Sequence, residues 1–452
     1  MTQKDALDIL KTGANVFLTG AAGSGKTHVL REYLSYLEGN GINAGVTAST
    51  GIAATHMGGV TIHSWAGIGI KDKLSDWDID AISQKEKTAK RICDAKVLII
   101  DEISMIHHYR LDLINRVLKY VRNSEMPFGG LQIVVSGDFF QLPPISRPQT
   151  LDRNGLLFID EDGNKAKFAY HAKAWQDADF TVCYLEENWR HNDQEYLRIL
   201  NAIRSDQLSD EIINILKSKI RRPDRANTSR TRLYSHNINV DRENERELLK
   251  LKGYVEHYEM TSKGKKNLVE NLKKTCLAPE ILKLKVGAKV MFVKNNFEKG
   301  YVNGTIGIVK KCTPYEIVVA TKSGKHIRVD SHSWHLEDHE GKSLAKIEQY
   351  PLRLAWAITI HKSQGMSLDE AEIDLSESFE KGMGYVALSR LRTLDGLSLI
   401  GINDIALKVH EEAIEYDKIF RELSMKCTAE LALLSMDDIK ERHSRFLVRE
   451  FV

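Results

Sequence analysis

At 452 residues, 42% hydrophobic and 28% charged, the chain has the make-up of a soluble globular protein too long for one ordinary core, so two or more domains are expected. No apolar run reaches membrane-spanning length, and the opening "MTQKDALDIL" has neither the apolar core of a signal peptide nor the Arg/Ser-rich character of a transit peptide. The five cysteines (Cys93, Cys183, Cys276, Cys312, Cys427) never stand in C-x-x-C spacing, which argues against zinc and a disulfide framework; the formal net charge of +2 means that any basic surface must be local.

In chain order, "NVFLT" (15–19) reads as a short buried strand and "GAAGSGKTHVL" (20–30) follows it. Gly20, Gly25, Lys26 and Thr27 fill the pattern G-x-x-x-x-G-K-[ST], and Val29, Leu30, Tyr33, Leu34 and Leu37 then repeat at helical spacing. Strand, glycine loop and helix N-terminus are what a phosphate cradle needs. Backbone N–H groups converge on the β-phosphate, Lys26 reaches the β/γ oxygens, and the Thr27 hydroxyl can ligate Mg²⁺. The cofactor this predicts is a nucleoside triphosphate with Mg²⁺.

"AKVLIIDEISM" (95–105) holds an uninterrupted apolar run, as in a strand buried on both faces of a parallel sheet, and "LQIVVSGDFFQLPPI" (131–145) holds another. Asp101 and Glu102 end the first of these, where the loops of a parallel sheet meet the ligand. There Asp101 would hold the metal and Glu102 would polarise the attacking water. The alternative is a helix N-cap, because "DEIS" also precedes a helical pattern. Gln141, after the second strand, can sense a γ-phosphate or be a surface amide. Arg190 in "LEENWR" and Arg390 in "YVALSR" are candidates for transition-state charge, against the alternative of surface ion pairs. Acting from a second domain, they would make hydrolysis report interdomain closure.

Strand and helix patterns alternate to about residue 180, and a second series starts at "DFTVCYLEENWR" and resumes at "LRLAWAITIHKSQG". Between them, residues 281–341 switch to short β-type runs joined by Gly- or Asn-containing turns, the mark of an inserted β-barrel. No site-motif residue falls inside that insertion. The lysines near it ("KGKK", "LKLK", with Lys285, Lys289 and Lys294) and the aromatics Trp65, Phe139 and Phe140 are of the kinds that single-strand binders combine, or else are solvated faces and core. Trp189 and Trp356 read as core.

The ordered set "GAAGSGKT", "VTASTGIAATHMGG-VTIHSW", "LIIDEISM", "GDFFQLPP", "LEENWR", "ITIHKSQGMSLD" and "YVALSR" closely resembles the petite-integration-frequency (PIF) helicases of superfamily 1B, relatives of RecD and Dda. The resemblance runs from Gln3 to about residue 423. It implies an α/β fold of two RecA-like P-loop domains with parallel sheets and a small β-barrel inserted in the second. Residues 1–180 would form the first domain (with a small insertion near 64–80) and 181–260 the first half of the second. The barrel would take 261–341, and 342–452 would complete the second domain with C-terminal helices.

The implied activity is ATP-driven 5′→3′ movement on single-stranded DNA with separation of duplex or structured DNA, in replication, repair or recombination. The residues would follow the family motifs. Gln3 reads adenine; Gly23, Ser24, Gly25, Lys26, Thr27 and His28 bind ATP; Thr27 and Asp101 hold the metal. Glu102 orients water, Gln141, Arg190 and Arg390 contact the γ-phosphate, and Thr50, His63, His361 and Lys362 face DNA. For His63 and His361 a satisfied interior histidine is the alternative. "SRLRTLDGL" departs from the family, which more often has small or hydroxyl residues after "SR", so Arg392 stays outside the catalytic set. Partners would be single-stranded DNA and DNA with 5′ tails, G-quadruplexes included, with no membrane and a monomer as the working form. A start almost directly at the Gln3 motif, without the long extension of eukaryotic members, favours a bacterial or viral source and a cytoplasmic location. Two other readings stand beside this one: a nucleotide-gated DNA clamp that does not move, and a small-molecule P-loop kinase, in which "HKSQG" and "ALSR" would have no role.

Overall fold

The computed structural model of the chain describes residues 1–69, 71–144, 168–187, 193–221, 230–294, 296, 298–301, 303–321, 323–337 and 343–448. They form two compact units, Met1–Gln84, Thr88–Arg190 and Val409–Val452 in one, Lys85–Lys87 and His191–Lys408 in the other.

The first unit is built on six strands: β1 (Val16–Gly20), β2 (Ala44–Ala48), β3 (Val60–Thr61), β4 (Val97–Asp101), β5 (Gln132–Gly137) and β6 (Thr181–Leu185). They lie in the order β3-β2-β4-β5-β1-β6, and every pairing is parallel. The strands β1, β4 and β5 are buried along their whole length, as their unbroken apolar runs require of a sheet covered on both faces. The helix Lys26–Gly39 turns Val29, Leu30, Tyr33 and Leu37 into this core, at the predicted spacing. Its Tyr33 hydroxyl donates to Gln132 Oε1 at 2.6 Å, and Gln132 Nε2 in turn donates to the carbonyls of Leu10 and Ala14.

Two boundaries differ from those expected. The strand β6 pairs with β1 in register Val16↔Thr181 to Gly20↔Leu185, so "TVCYL" closes the first sheet rather than opening the second domain. The helices Glu411–Ala432 and Met436–Val448 also belong to the first unit. The first of them covers the edge of β6: Ser424 Oγ accepts the outward N–H of Tyr184 at 3.0 Å, and Phe420 meets Phe17 edge-on at 4.9 Å. A parallel sheet with one open edge needs such a cover.

In the second unit the helices Gln194–Arg204 and Asp210–Ser218 precede its first described strand, β7 (Thr231–Tyr234). The chain then departs into ten antiparallel strands: β8 (Glu256–Glu259), β9 (Thr261–Gly264), β10 (Ile281–Leu284), β11 (Lys289–Phe292), β12 (Ile306–Thr313), β13 (Glu316–Thr321), β14 (His326–Val329), β15 (His332–Glu337), β16 (Ser343–Gln349) and β17 (Leu352–Leu354). The five-stranded sheet β14-β13-β12-β11-β17 and the pair β8–β10 close around one core that includes Tyr258, Leu284, Phe292, Val319 and Leu352. A smaller sheet, β15-β16-β9, packs with the helix Lys266–Thr275 around Val269, Ala345 and Ile347. The insertion therefore runs from Glu256 to Leu354, wider than the expected 261–341. The chain then returns through β18 (Ala357–Thr359), β19 (Ala371–Leu375) and β20 (Leu397–Ile402), giving the parallel sheet β18-β7-β19-β20.

The second parallel sheet is tied to the helix Asn237–Lys250 by a buried cation. Arg232, 2% exposed, donates from Nε to Glu372 at 2.6 Å and from Nη1 to Glu247 at 3.1 Å, and it also pairs with Glu243. Removing one member of a buried ion cluster strands the others, typically at about 3–5 kcal/mol. Arg232→Ala is therefore expected to unfold the second unit at clearly lower temperature in a calorimetric scan. A scan superimposable on the parent would contradict this role.

Candidate functional site

The site is assembled at the C-terminal ends of three adjacent strands, β4, β5 and β1. The strand β1 ends at Gly20, and the loop that follows reaches the helix Lys26–Gly39 through Gly23 and Gly25, at φ +89° and +90°. A side chain at either position would be strained, so glycine is required for the loop to curl. At Gly20 space forbids a side chain as well, since a Cβ would come within 2.6 Å of the Leu185 carbonyl. Within this curl Lys26 Nζ donates to the Gly20 and Ala21 carbonyls at 2.8 and 3.1 Å, so its ammonium lies along the loop. Gln3 Nε2 donates to the Ser24 carbonyl at 3.1 Å, which ties the N-terminal helix to the phosphate loop. Ser24 is buried beneath it. Thr27 Oγ1 makes no hydrogen bond to a described residue. His28 lies on the outer face of the helix, 3.5 Å from Glu32, and its backbone N–H already donates to the Gly25 carbonyl.

Two strands from β1, across β5, stands Asp101, 8% exposed, at the end of β4. Burial pushes its carboxyl pKa up, while the Glu102 N–H, at 2.9 Å from Oδ1, and the nearby Lys26 charge pull the other way. A carboxylate so placed is poised for a cation. Glu102 takes φ +53° and ψ +47°, a left-handed conformation uncommon for a residue with a side chain. It precedes only a single tight turn, Ile103–Met105, and its side chain makes no capping bond there. That removes the N-cap alternative. Strain held at such a point is a mark of a functional position.

The turn that carries Glu102 presses against β5. A Cβ on Gly137 would come within 2.9 Å of Ile103 Cγ2 and 3.1 Å of its N atom, which is why β5 ends in glycine. The chain leaving that glycine buries Gln141, 4% exposed, with its N–H on the Asp138 carbonyl. Gln141 is thus an interior amide at the strand crest and not a surface one. Arg190 lies outside the described residues. Arg390 is 2% exposed at the end of the helix Met383–Leu388, with Nε donating to the Val386 carbonyl at 2.8 Å and Nη2 to Ser389 Oγ at 2.9 Å. It is not a surface ion pair. Arg392 is one, 3.5 Å from Asp369.

Of the residues expected to face DNA, Thr50 caps the helix Gly51–His56 by accepting the Ala53 N–H at 3.2 Å. His63 Nε2 lies 2.7 Å from Arg110 Nη1, and Arg110 also pairs with Asp72. Burial first, and then the Arg110 charge, push the His63 pKa down to about 4, so the ring is neutral and accepts from the guanidinium. This is the satisfied interior histidine. His361 and Lys362 form a short turn after β18. Lys362 Nζ donates to Asn237 Oδ1 at 3.2 Å, and burial, then Arg353, lower its pKa to about 8.

Beside them is a residue the sequence reading passed over. Phe379 is 53% exposed, and its ring lies 5.0 Å from His236 and 6.2 Å, nearly parallel, from His361. An exposed ring of this kind is what a base stacks on. Its signal was an aromatic set among polar residues in "SESFEKG". The aromatics favoured instead are core: Trp65, Phe139 and Phe140 are 6%, 4% and 4% exposed, and Phe139 packs against Phe17, Phe168 and Tyr170. Trp356 is core, as expected, and Trp189 lies outside the described residues. Two of the three insertion lysines are also interior, Lys285 donating to the Leu251 carbonyl and Lys289 to Thr231 Oγ1. Lys294 donates to the Ser333 carbonyl over the Trp334 ring. These lysines tie strands together and are not a free cationic surface.

The chain also matches known proteins along nearly its whole length. The family model of PIF1-like helicases matches residues 2–226, and that of the DNA helicase Pif1 2B domain matches residues 267–311, within the insertion. The ATP-dependent DNA helicase Pif1 of Psychrobacter sp. (strain PRwf-1) is 43% identical over 99% of this chain and 75% of its own length. That of Bdellovibrio bacteriovorus is 35% identical over 93% of this chain and 92% of its own. Among solved structures, the Pif1 helicase from Candida albicans matches with TM-score 0.82 and 31% identity, over 92% of this chain and 98% of that one. Pif1 from Bacteroides, in complex with ADP-AlF3 and ssDNA, matches with TM-score 0.73 and 32% identity, over 93% and 96%. With the match continuing through both units and the insertion, the chain belongs to the PIF1-like helicases and is an ATP-dependent DNA helicase.

Proposed function

We propose that this helicase uses Mg²⁺–ATP to move 5′→3′ along single-stranded DNA, as a monomer, and to open duplex or structured DNA from a 5′ tail in replication, repair or recombination. The observation that carries the chemistry is the left-handed Glu102 beside a buried Asp101 and the loop bearing Lys26. Lys26 leaves the loop carbonyls for the β/γ oxygens, and Glu102 takes the proton side of the attacking water. Gln141 orients that water, while Arg390 and Arg190 supply charge to the transferring phosphoryl group. The unengaged Thr27 hydroxyl and the buried Asp101 carboxyl fit Mg²⁺, which would neutralise phosphate charge when bound. The resemblance to the superfamily 1B helicases supports the direction. The track would be the exposed Phe379 with His361 and Lys362.

Movement itself is tested by displacement of streptavidin from biotin placed at either end of an oligonucleotide. ATP is expected to speed release from the 3′ end and leave the 5′ end at its spontaneous rate. Faster release from the 5′ end would reverse the direction, and no acceleration at either end would leave a clamp rather than a motor.

Lys362 adds a pH test. A lysine with pKa about 8 carries its charge below that pH and loses it above. Single-strand affinity is therefore expected to fall as pH rises through about 8, with the log–log salt slope shrinking by about 0.7 as one phosphate contact is lost. Lys362→Arg should remove the step, since a guanidinium stays charged. Wild-type anisotropy titrations that stay level across that pH would take Lys362 off the DNA.

A further inference from the structure

The first unit holds a cavity of about 620 Å³ that the helicase reaction does not use. It opens where the helices Glu411–Ala432 and Met436–Val448 part from each other beside β6, and Phe180, Val182, Leu423, Leu434 and Ile439 form its apolar wall. The wall is open to solvent in part, Leu423 being 42% exposed.

Two features say what would fill it. The first is charge. Lys426 and Arg442 line the cavity and are exposed; Lys426 forms no hydrogen bond or ion pair with a described residue, and the Arg442 charge, which helps to hold the Asp438 carboxyl below its usual range, is bound by no hydrogen bond to a described residue. Among the described residues, the only acid lining it is Glu430. The second is backbone. In β6, Thr181 points its N–H inward to the Asn15 carbonyl, and Tyr184 points its own outward to Ser424 Oγ. That alternation turns the N–H and C=O of Val182, a buried residue that lines the cavity, to the same outward side. An apolar wall, a cationic rim and a sheet-edge peptide group turned toward the cavity together describe a seat for one short extended segment.

We propose that this cavity docks an acidic peptide segment ending in apolar residues, supplied by a partner protein. The apolar residues fill the wall, one peptide unit pairs with Val182, and the carboxylates face Lys426 and Arg442. Edge pairing supplies affinity in such a mode, and the alternating side chains supply selectivity.

The probe is a fluorescein-labelled peptide, Asp-Asp-Asp-Leu-Phe-Leu with a free C-terminus, titrated by anisotropy against the full chain. The control is Lys-Lys-Lys-Leu-Phe-Leu. The acidic peptide is expected to bind at least about tenfold tighter than the basic one and to weaken with salt. The double variant Lys426→Glu, Arg442→Glu should erase that preference while keeping DNA-stimulated ATPase at the parental rate, since neither residue touches the nucleotide or DNA sites. A second variant, Leu434→Arg, should block both peptides. Equal binding of the two peptides, no binding of either, or binding unchanged by the double variant would each overturn the proposal. Sedimentation at the titration concentration separates one more case: a dimer that the double variant dissolves would make a second copy the occupant, and the proposal would fall.

Discussion

Lys26→Ala is expected to abolish ATP hydrolysis, and Glu102→Gln to abolish it while leaving ATP binding intact. The two substitutions act on different terms. The Lys26 ammonium lies on the Gly20 and Ala21 carbonyls and would meet the β/γ oxygens when ATP enters. Its removal costs binding and transition-state stabilisation together. Glu102 is held in a left-handed backbone at the crest of β4, so its carboxylate is aimed before substrate arrives. Glutamine keeps the shape and the hydrogen bonds but cannot take the proton, so it should bind nucleotide and not turn over. A fluorescent ATP analogue and a phosphate-release assay read the two properties separately. A Glu102→Gln enzyme within about tenfold of the parental rate would remove Glu102 from the reaction, since positioned general bases contribute about 10²–10⁴.

Arg390→Ala is expected to lower kcat by about 10³ or more, close to 4 kcal/mol of transition-state stabilisation, with nucleotide affinity nearly unchanged. Arg390 also braces its own helix end through Val386 and Ser389, so loss of activity alone would not separate a finger from a strut. Arg390→Lys makes the distinction. Lysine keeps a charge and a long stem but not the planar fork, so a finger role predicts a large kcat loss in a variant that melts like the parent. Parental kcat in Arg390→Lys would assign Arg390 to the fold.

The phosphate loop was legible because its chemistry dictates its spacing: glycines where φ must be positive, and a lysine and a hydroxyl at the first helical positions. The strand positions of Asp101 and Gln141 followed from unbroken apolar runs. The strain at Glu102 was not legible, because a backbone angle leaves no trace in residue type when the residue is not glycine. Domain edges were misread for a related reason. "TVCYL" has the pattern of a buried strand in either sheet, and only pairing with β1 decides between them. The helix after residue 410 has an apolar face that says it is covered, but not by what. Phe139 and Phe140 could be platform or core by composition, and packing made them core. Lys285 and Lys289 looked exposed because lysine usually is; here their ammonium groups reach oxygens at the end of the helix Asn237–Lys250 and of β7.

The central claim is that hydrolysis at the Lys26–Glu102 site drives the chain 5′→3′ along one strand and so parts the other. It is tested most directly by single-turnover unwinding of two duplexes identical in sequence, one with a 5′ single-stranded tail and one with a 3′ tail, with Glu102→Gln as the control. The account predicts ATP-dependent strand release from the 5′-tailed duplex, little from the 3′-tailed one, and none with Glu102→Gln. Equal release from both, or release that survives Glu102→Gln, would contradict it.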